Sequence, residues 1–341
     1  NREIIAKNLG ITAGNDFAML RAIGGECAGA VALLDPNQSI EKSTQAYEPI
    51  TDEELIKILD QLPQKPLLAG RTEVRLSLAG AQNKIALFKK GDRFSLPLNE
   101  SPSTHILKPE LERFPDLTTN ETYCLNLAND VGLPTAQSEV KKYGPHRCLV
   151  IKRYDRTSSE VGELQRLHQE DFCQALGIPA RIKYQAEGGP SLEHCFQLVR
   201  SAASRPARDL IHLFNAVTFN YLIGNNDAHG KNFSLLYTTS NQSPIVQLAP
   251  LYDLVSTTYY PQLSSKMAMK IGRNSLPEET RRSDWESYWS VIGFSQKQAL
   301  KQTLQFIEKM ESQCHSPDGQ IQKSIQIIVK TRIQNLRSTI A

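Results

Sequence analysis

Asn225-Asn226-Asp227-Ala228-His229-Gly230-Lys231-Asn232 is the stretch on which the reading of this chain turns. An aspartate and an asparagine five residues apart bracket a short polar loop, and the flanking sequence says how that loop is held. Upstream, Asp209 to Ile223 repeats apolar residues at helical spacing, with Leu210, Leu213, Phe214, Val217 and Tyr221 on one face and Gly224 as a fitting terminator. Downstream, 232–237 and 244–249 read as two strands across a polar turn, and the chain then reaches Leu251-Tyr252-Asp253-Leu254. A helix thus ends in a loop that carries Asp227 outward, and a hairpin returns Asp253 towards it.

This arrangement suits phosphoryl transfer, which needs a carboxylate to orient an attacking hydroxyl and take its proton, and oxygen ligands to hold Mg²⁺ against a triphosphate. Asp227 is assigned as the base. Asn232 and Asp253 are assigned as metal ligands, since Mg²⁺ prefers oxygen donors and keeps several waters. Lys231 is placed to neutralise charge on the transferred group, and His229 to brace the loop. The Asp-to-Asn spacing is that of protein-kinase catalytic loops. A lone Asp in a Gly/Asn-rich turn usually only forms the turn; the strand, turn, strand and second Asp that follow set this one apart.

Working outward, 51–61 reads as a helix with Thr51 as N-cap and Glu54 completing a capping box. A short strand is expected at Gly29 to Leu34, and further strands at 73–78, 84–88, 105–108, 136–142 and 147–154, with a helix from about Asn120 to Asp130. Lys108 ends a strand and Glu121 opens the next helix, the pattern by which a kinase strand lysine reaches the α- and β-phosphates and pairs with a helix glutamate. The turn between Ser77 and Lys84 sits between two strands, where backbone N–H groups could cover phosphates. Its single glycine makes it neither a Walker sequence nor a G-x-G-x-x-G. Beyond Arg156 the chain turns mostly helical, ending in helices near 296–313 and 319–338. The expected fold is α+β, two-lobed and protein-kinase-like, with a small β-rich lobe over 1–150 and a larger, mostly helical lobe over 151–341.

Composition narrows the partners. With 39 basic and 36 acidic residues the net charge is +3, far from the strong basicity of a nucleic-acid-coating protein. A hydrophobic fraction of 40% in 341 residues is that of a folded chain large enough for two cores. Six cysteines without a Cys-x-x-Cys suit a reducing cytoplasm and argue against zinc. No run of 18 apolar residues and no signal-peptide pattern occurs, so no membrane partner is expected.

Several blocks in order resemble the HipA toxin kinases of bacterial toxin–antitoxin systems. They are Leu76 to Lys84, Thr104 to Lys108, Asn120-Glu121, Ile151 to Arg156, His168 to Gly177, Lys183-Tyr184 with Gly188-Gly189-Pro190, Asn225 to Asn232, and Leu251 to Asp253. The resemblance implies a serine/threonine kinase that uses ATP and Mg²⁺, arrests growth and autophosphorylates at the position of Ser77. It implies nucleotide contacts from Ala79, Gly80, Ala81, Gln82, Asn83 and Lys84, from Lys108, from a hinge at Lys152, Arg153 and Tyr154, from His229, Gly230, Lys231 and Asn232, and from Tyr252, Asp253, Leu254 and Val255. It also implies a HipB-like helix-turn-helix antitoxin, operator DNA reached mainly through that antitoxin, and glutamyl-tRNA synthetase as the family's protein target. Lys152 departs from members that carry Glu in the hinge. The family's first N-terminal subdomain is expected ahead of Asn1, either removed or carried by a separate chain.

Two other readings compete. A catalytically idle kinase fold serving as a co-repressor would be expected to lose Asp227, Asn232 or Asp253, and all three are present. A metal-dependent hydrolase would use Asp227, His229 and Asp253 as ligands and bind metal tightly without nucleotide.

Overall fold

The computed structural model describes residues 2–24, 27–33, 45–69, 82–99, 101–158, 163–240, 243–314 and 319–341. They fall into two compact units, 1–118 with 137–168 and 119–136 with 169–341, so the division interleaves along the chain instead of falling at one position near 150.

The first unit holds α1 (Arg2–Leu9), α2 (Asp16–Ile23), β1 (Ala46–Pro49), α3 (Asp52–Gln61), β2 (Ile85–Lys90), β3 (Arg93–Leu98) and β4 (His105–Pro109). After an interruption by α4 (Leu117–Asp130) it continues with β5 (Ser138–Tyr143), β6 (His146–Lys152), β7 (Arg156–Ser158) and β8 (Leu164–Arg166). Six strands pair antiparallel in the order β1-β3-β2-β4-β6-β5. β2 and β3 form a tight hairpin, Lys90 opposite Arg93, in which Gly91 takes φ +60°. Leu55, Ile58 and Leu59 of α3 are buried with Ile85, Leu87, Phe94, Leu96, Leu107 and Val150 of the sheet. The expected capping box starts α3: Thr51 Oγ1 accepts the Glu54 N–H and the Glu54 carboxylate accepts the Thr51 N–H.

The strand expected at Gly29 to Leu34 does not form among its described residues, 29–33. Gly29 turns the chain at φ +72° and gives its N–H to Asp155 Oδ2 at 3.1 Å, while the Leu33 N–H returns to Gly24 O at 2.8 Å. The second bond closes a local turn and the first ties it to a distant carboxylate, so no ladder forms among these residues. β1 and β3 occur where no strand was expected. Pro97 of β3 faces Tyr47, and the pairing of β3 with β2 stops at Ser95, so the proline's missing N–H breaks no bond on the β2 side.

The second unit comprises most of α4, β9 (His168–Asp171), α5 (Phe172–Ala175), α6 (Leu192–Ala202), α7 (Pro206–Ile223), β10 (Ser234–Ser240), β11 (Ser243–Leu248), α8 (Arg282–Val291), α9 (Gln296–Gln313) and α10 (Gln320–Ile340). Strands β11, β10 and β9 form a small sheet beside the helices. Phe172, Phe196, Phe214, Phe219, Trp285 and Phe306 are fully buried there, each removing apolar area worth roughly 1.5–3 kcal/mol for a large side chain. Cys124, Leu125, Leu127 and Ala128 of α4 join this core, which is why 119–136 belong to this unit. Among the described residues no helix is long and apolar enough to cross a membrane.

Candidate functional site

α7 carries Pro206 in its first turn and ends at Gly224, whose φ of +71° is a left-handed cap that a side chain would strain. A Cβ at 224 would also lie 2.5 Å from Thr258 Oγ1, whose hydroxyl donates to Gly224 O at 3.0 Å. Arg332 of α10 supports the same turn, donating to Tyr221 O at 2.9 Å with its guanidinium over the Tyr221 ring.

From this cap the loop is built by its own side chains. Asn225 Nδ2 donates to Asn220 Oδ1 at 2.7 Å, and Asn225 Oδ1 accepts the Asp227 N–H at 3.2 Å. Asn232 closes the far end, its Oδ1 accepting the His229 N–H at 3.1 Å and its N–H reaching His229 O at 2.9 Å. Asp227 is exposed at the apex, whereas His229 and Gly230 are buried beneath it.

A second loop, 182–190, interlocks with the first. Tyr184 Oη donates to Asp227 Oδ1 at 2.8 Å, and its ring meets the edge of His229 at a centroid distance of 5.3 Å. A Cβ at Gly230 would stand 2.6 Å from Pro190 Cγ and 3.1 Å from Cys173 Sγ, so the two loops pack too closely for any side chain there. Burial pushes the His229 imidazole down to about 4 against the pull of Asp227, and Lys183 adds to the lowering. At neutral pH the ring is uncharged. Burial and then the Asp227 carboxylate push the Tyr184 phenol above its ordinary range, so it stays a proton donor.

The hairpin of β10 and β11 returns the chain to Asp253. Tyr252 Oη donates to Lys231 O at 2.8 Å and pairs with Ser234 Oγ at 2.6 Å, so the residue before Asp253 is tied to the residue before Asn232. Leu251 forms a parallel bridge to Thr135, and Asn120 of α4 grips both backbone groups of Ser256, at 2.8 and 3.0 Å. Asp253 itself holds φ +53°, an uncommon conformation for a non-glycine residue. Leu254 is buried and Val255 half-buried between these anchors. Asn232 and Asp253 offer an amide oxygen and a carboxylate, a hard donor set that fits Mg²⁺. No cluster of three His, Cys, Asp or Glu side chains able to hold a metal occurs among the described residues.

Lys231 has a partner that sequence reasoning missed. Its Nζ meets Asp171 Oδ2 at 2.5 Å, and Asp171 Oδ1 caps α5 by accepting the Gln174 N–H at 2.9 Å. Asp171, Tyr184 and Asn120 all lie in the quoted family blocks, but their bonds span 60, 43 and 136 residues.

The remaining candidates belong to the first unit. Lys108 sits on β4 opposite Leu149, whereas Glu121 belongs to the second unit with α4. Gln82 donates to Pro109 O at 3.0 Å, and Asn83 and Lys84 lead into β2. Ser77, Ala79, Gly80 and Ala81 lie outside the described residues. In the segment expected to form the hinge, the Lys152 N–H goes to Gln137 O and the Arg153 N–H to Thr104 O, both at 2.9 Å, with Tyr154 half-buried after them. The Arg153 guanidinium is spent inside the unit on both Asp155 oxygens and on Ser103 Oγ. Burial pushes the Asp155 carboxyl up, but Arg153, Arg156 and the Gly29 N–H outweigh it and hold it down to about 2.

Comparison with known proteins places this geometry. The HipA-like C-terminal domain family matches residues 76–315. A putative kinase of Sinorhizobium fredii is 45% identical over 296 residues, covering 86% of this chain and 70% of its own. The serine/threonine-protein kinase toxin HipA of Shewanella oneidensis is 33% identical over 282 residues, covering 79% of this chain and 63% of its own. The structure of a Shewanella oneidensis HipA, solved with HipB and its operator DNA, superposes with a TM-score of 0.81 at 26% identity, covering 99% of this chain and 82% of that one. The family blocks read from the sequence, the fold and these relatives agree: the chain belongs to the HipA family of toxin kinases.

Proposed function

We propose that this chain is the toxin of a toxin–antitoxin pair, a serine/threonine protein kinase that uses ATP and Mg²⁺. The observation that carries the reading is the bond from Tyr252 Oη to Lys231 O, which ties the segment of Asp253 to the loop that presents Asp227 and Asn232. Asp227 is the base for the acceptor hydroxyl. Asn232 and Asp253 would hold the metal, which neutralises charge on the phosphates when bound. Lys231, kept in place by Asp171, supplies a further positive charge, and neutral His229 with Gly230 sets the floor of the loop. Tyr252, Leu254 and Val255 fix the metal-binding segment and contribute nucleotide contacts.

From the first unit, Lys108 and the segment Ala79 to Lys84 are assigned to the phosphates, and Lys152, Arg153 and Tyr154 to the base. The side-chain bonds of Arg153 to Asp155 and Ser103 brace that hinge. Ser77 is assigned as the autophosphorylation site. By relation to the HipA, HipB and operator complex, the partners are a HipB-like antitoxin and, mainly through it, operator DNA in the cytoplasm. Glutamyl-tRNA synthetase, the target implied by the resemblance, is the first protein substrate to test.

Chain whose Ser77 is confirmed unmodified by mass spectrometry, given γ-³²P-ATP and Mg²⁺, should label itself mainly at Ser77. Asp227→Ala should lower that rate by about 10²–10⁴-fold, the usual contribution of a general base. A wild type that stays silent under these conditions would rule the reading out.

A further inference from the structure

We propose that Tyr184 is a positioning residue for the transfer step, holding the Asp227 carboxylate in one orientation through its phenol so that Oδ2 faces the acceptor hydroxyl. The inference rests on the kinase reading of this site and deepens it. Asp227 is exposed at the apex of its loop, and an exposed carboxylate rotates freely unless something fixes it. Its backbone N–H is engaged by Asn225 Oδ1, which sets the main chain but leaves the carboxylate plane open. The 2.8 Å bond from Tyr184 Oη to Oδ1 restrains that plane.

Tyr184 is itself fixed from several sides. Its carbonyl accepts the N–H groups of Glu187 and Gly189 at 3.0 and 2.9 Å, and a Cβ at Gly189 would approach that carbonyl to 2.7 Å. The next residue, Gln185, donates its N–H to Ala268 O, and its Oε1 accepts the Lys270 N–H at 2.7 Å. Lys183 covers the Tyr184 ring at 4.8 Å and His229 meets it edge-on. A phenol this constrained is a fixed donor, which is what pre-organisation of a catalytic group requires.

In the step itself the acceptor hydroxyl loses its proton to Asp227 Oδ2 as its oxygen bonds to the γ-phosphorus of ATP. The bond from that phosphorus to the β–γ bridging oxygen breaks, and ADP leaves. Tyr184 keeps its proton throughout, because Oδ1 remains its acceptor and burial disfavours the phenolate.

Tyr184→Phe and Tyr184→Leu separate the hydroxyl from the ring. Tyr184→Phe should lower kcat for phosphotransfer about tenfold, the scale of one hydrogen bond to a charged group, with KM for ATP and the melting temperature unchanged. Tyr184→Leu should lose at least as much activity and also melt earlier. In nucleotide-free crystals of Tyr184→Phe the Asp227 carboxylate should spread over more than one rotamer. Wild-type kcat in Tyr184→Phe, an unchanged Asp227 rotamer, or an activity loss matched by loss of ATP affinity would overturn the proposal. If the wild type shows no transfer that Asp227→Ala abolishes, the kinase reading itself fails, and the two failures are told apart.

Discussion

In the first unit Lys108 faces Leu149 within a continuous antiparallel sheet, and the backbone around it is fixed by ladder hydrogen bonds. In the second, Asp227, Asn232 and Asp253 sit on loops fixed by side chains: Asn225 on Asn220, Tyr184 on Asp227, Tyr252 on Lys231, Asn120 on Ser256. A ladder spreads its constraint over many equivalent bonds, so no single side chain decides where a strand residue points. A loop held by four or five particular side chains concentrates that decision. Away from the two cores and the proposed ligands, substitutions should therefore act mainly on folding in the first unit and mainly on rate in the second.

The sharpest separation of the two units comes from their cores. Phe214 is fully buried among Tyr288, Phe294 and the other second-unit aromatics, so Phe214→Ala should cost about 3–5 kcal/mol. Hydrogen exchange should show that loss in α6, α7 and α9 while β2, β4 and β6 keep their protection. Equal loss in both units would break the comparison. A smaller effect is expected at Thr51, whose capping box starts α3: Thr51→Ala should cost about 1 kcal/mol in denaturant melts and leave phosphotransfer untouched. A matching fall in kcat would show that the first unit also works through single side chains.

A third effect is one of pH. Burial, then Lys89 and Lys152, hold the His105 imidazole down to about 4 from an ordinary 6.5. The unfolded chain gains this proton as pH falls through 6.5 and the folded chain only near 4, so His105 subtracts stability progressively across that window and nothing above it. The melting temperature should fall between pH 6.5 and 4, and less steeply in His105→Gln. Identical slopes would remove His105 from the account.

What could be read in the sequence followed the range of the interactions. The Thr51–Glu54 box and the Gly224 helix stop are decided within a few residues, and both formed as expected. The hairpin that returns the chain to Asp253 needs only two strands and a turn, and β10 and β11 supply it. Tyr184 and Asp171 could not be assigned roles, because nothing local marks a tyrosine or an aspartate as the partner of a residue 43 or 60 positions away. The misread strand at Gly29 had the right apolar composition, but a long-range bond from its N–H to Asp155 favoured a turn. β3 was hidden by Pro97, a residue that argues against a strand until its one-sided pairing is known.

The lack of room at Gly230 bears on how the loop that presents Asp227 could be moved between proteins. Its backbone is pressed against Pro190 and Cys173, so the eight residues from Asn225 to Asn232 are not a portable cassette. Grafted onto another helix and hairpin, they would arrive without the surface that shapes them. The smallest transplantable piece is a discontinuous one, made of this loop, the Tyr184 to Pro190 segment and the start of α5.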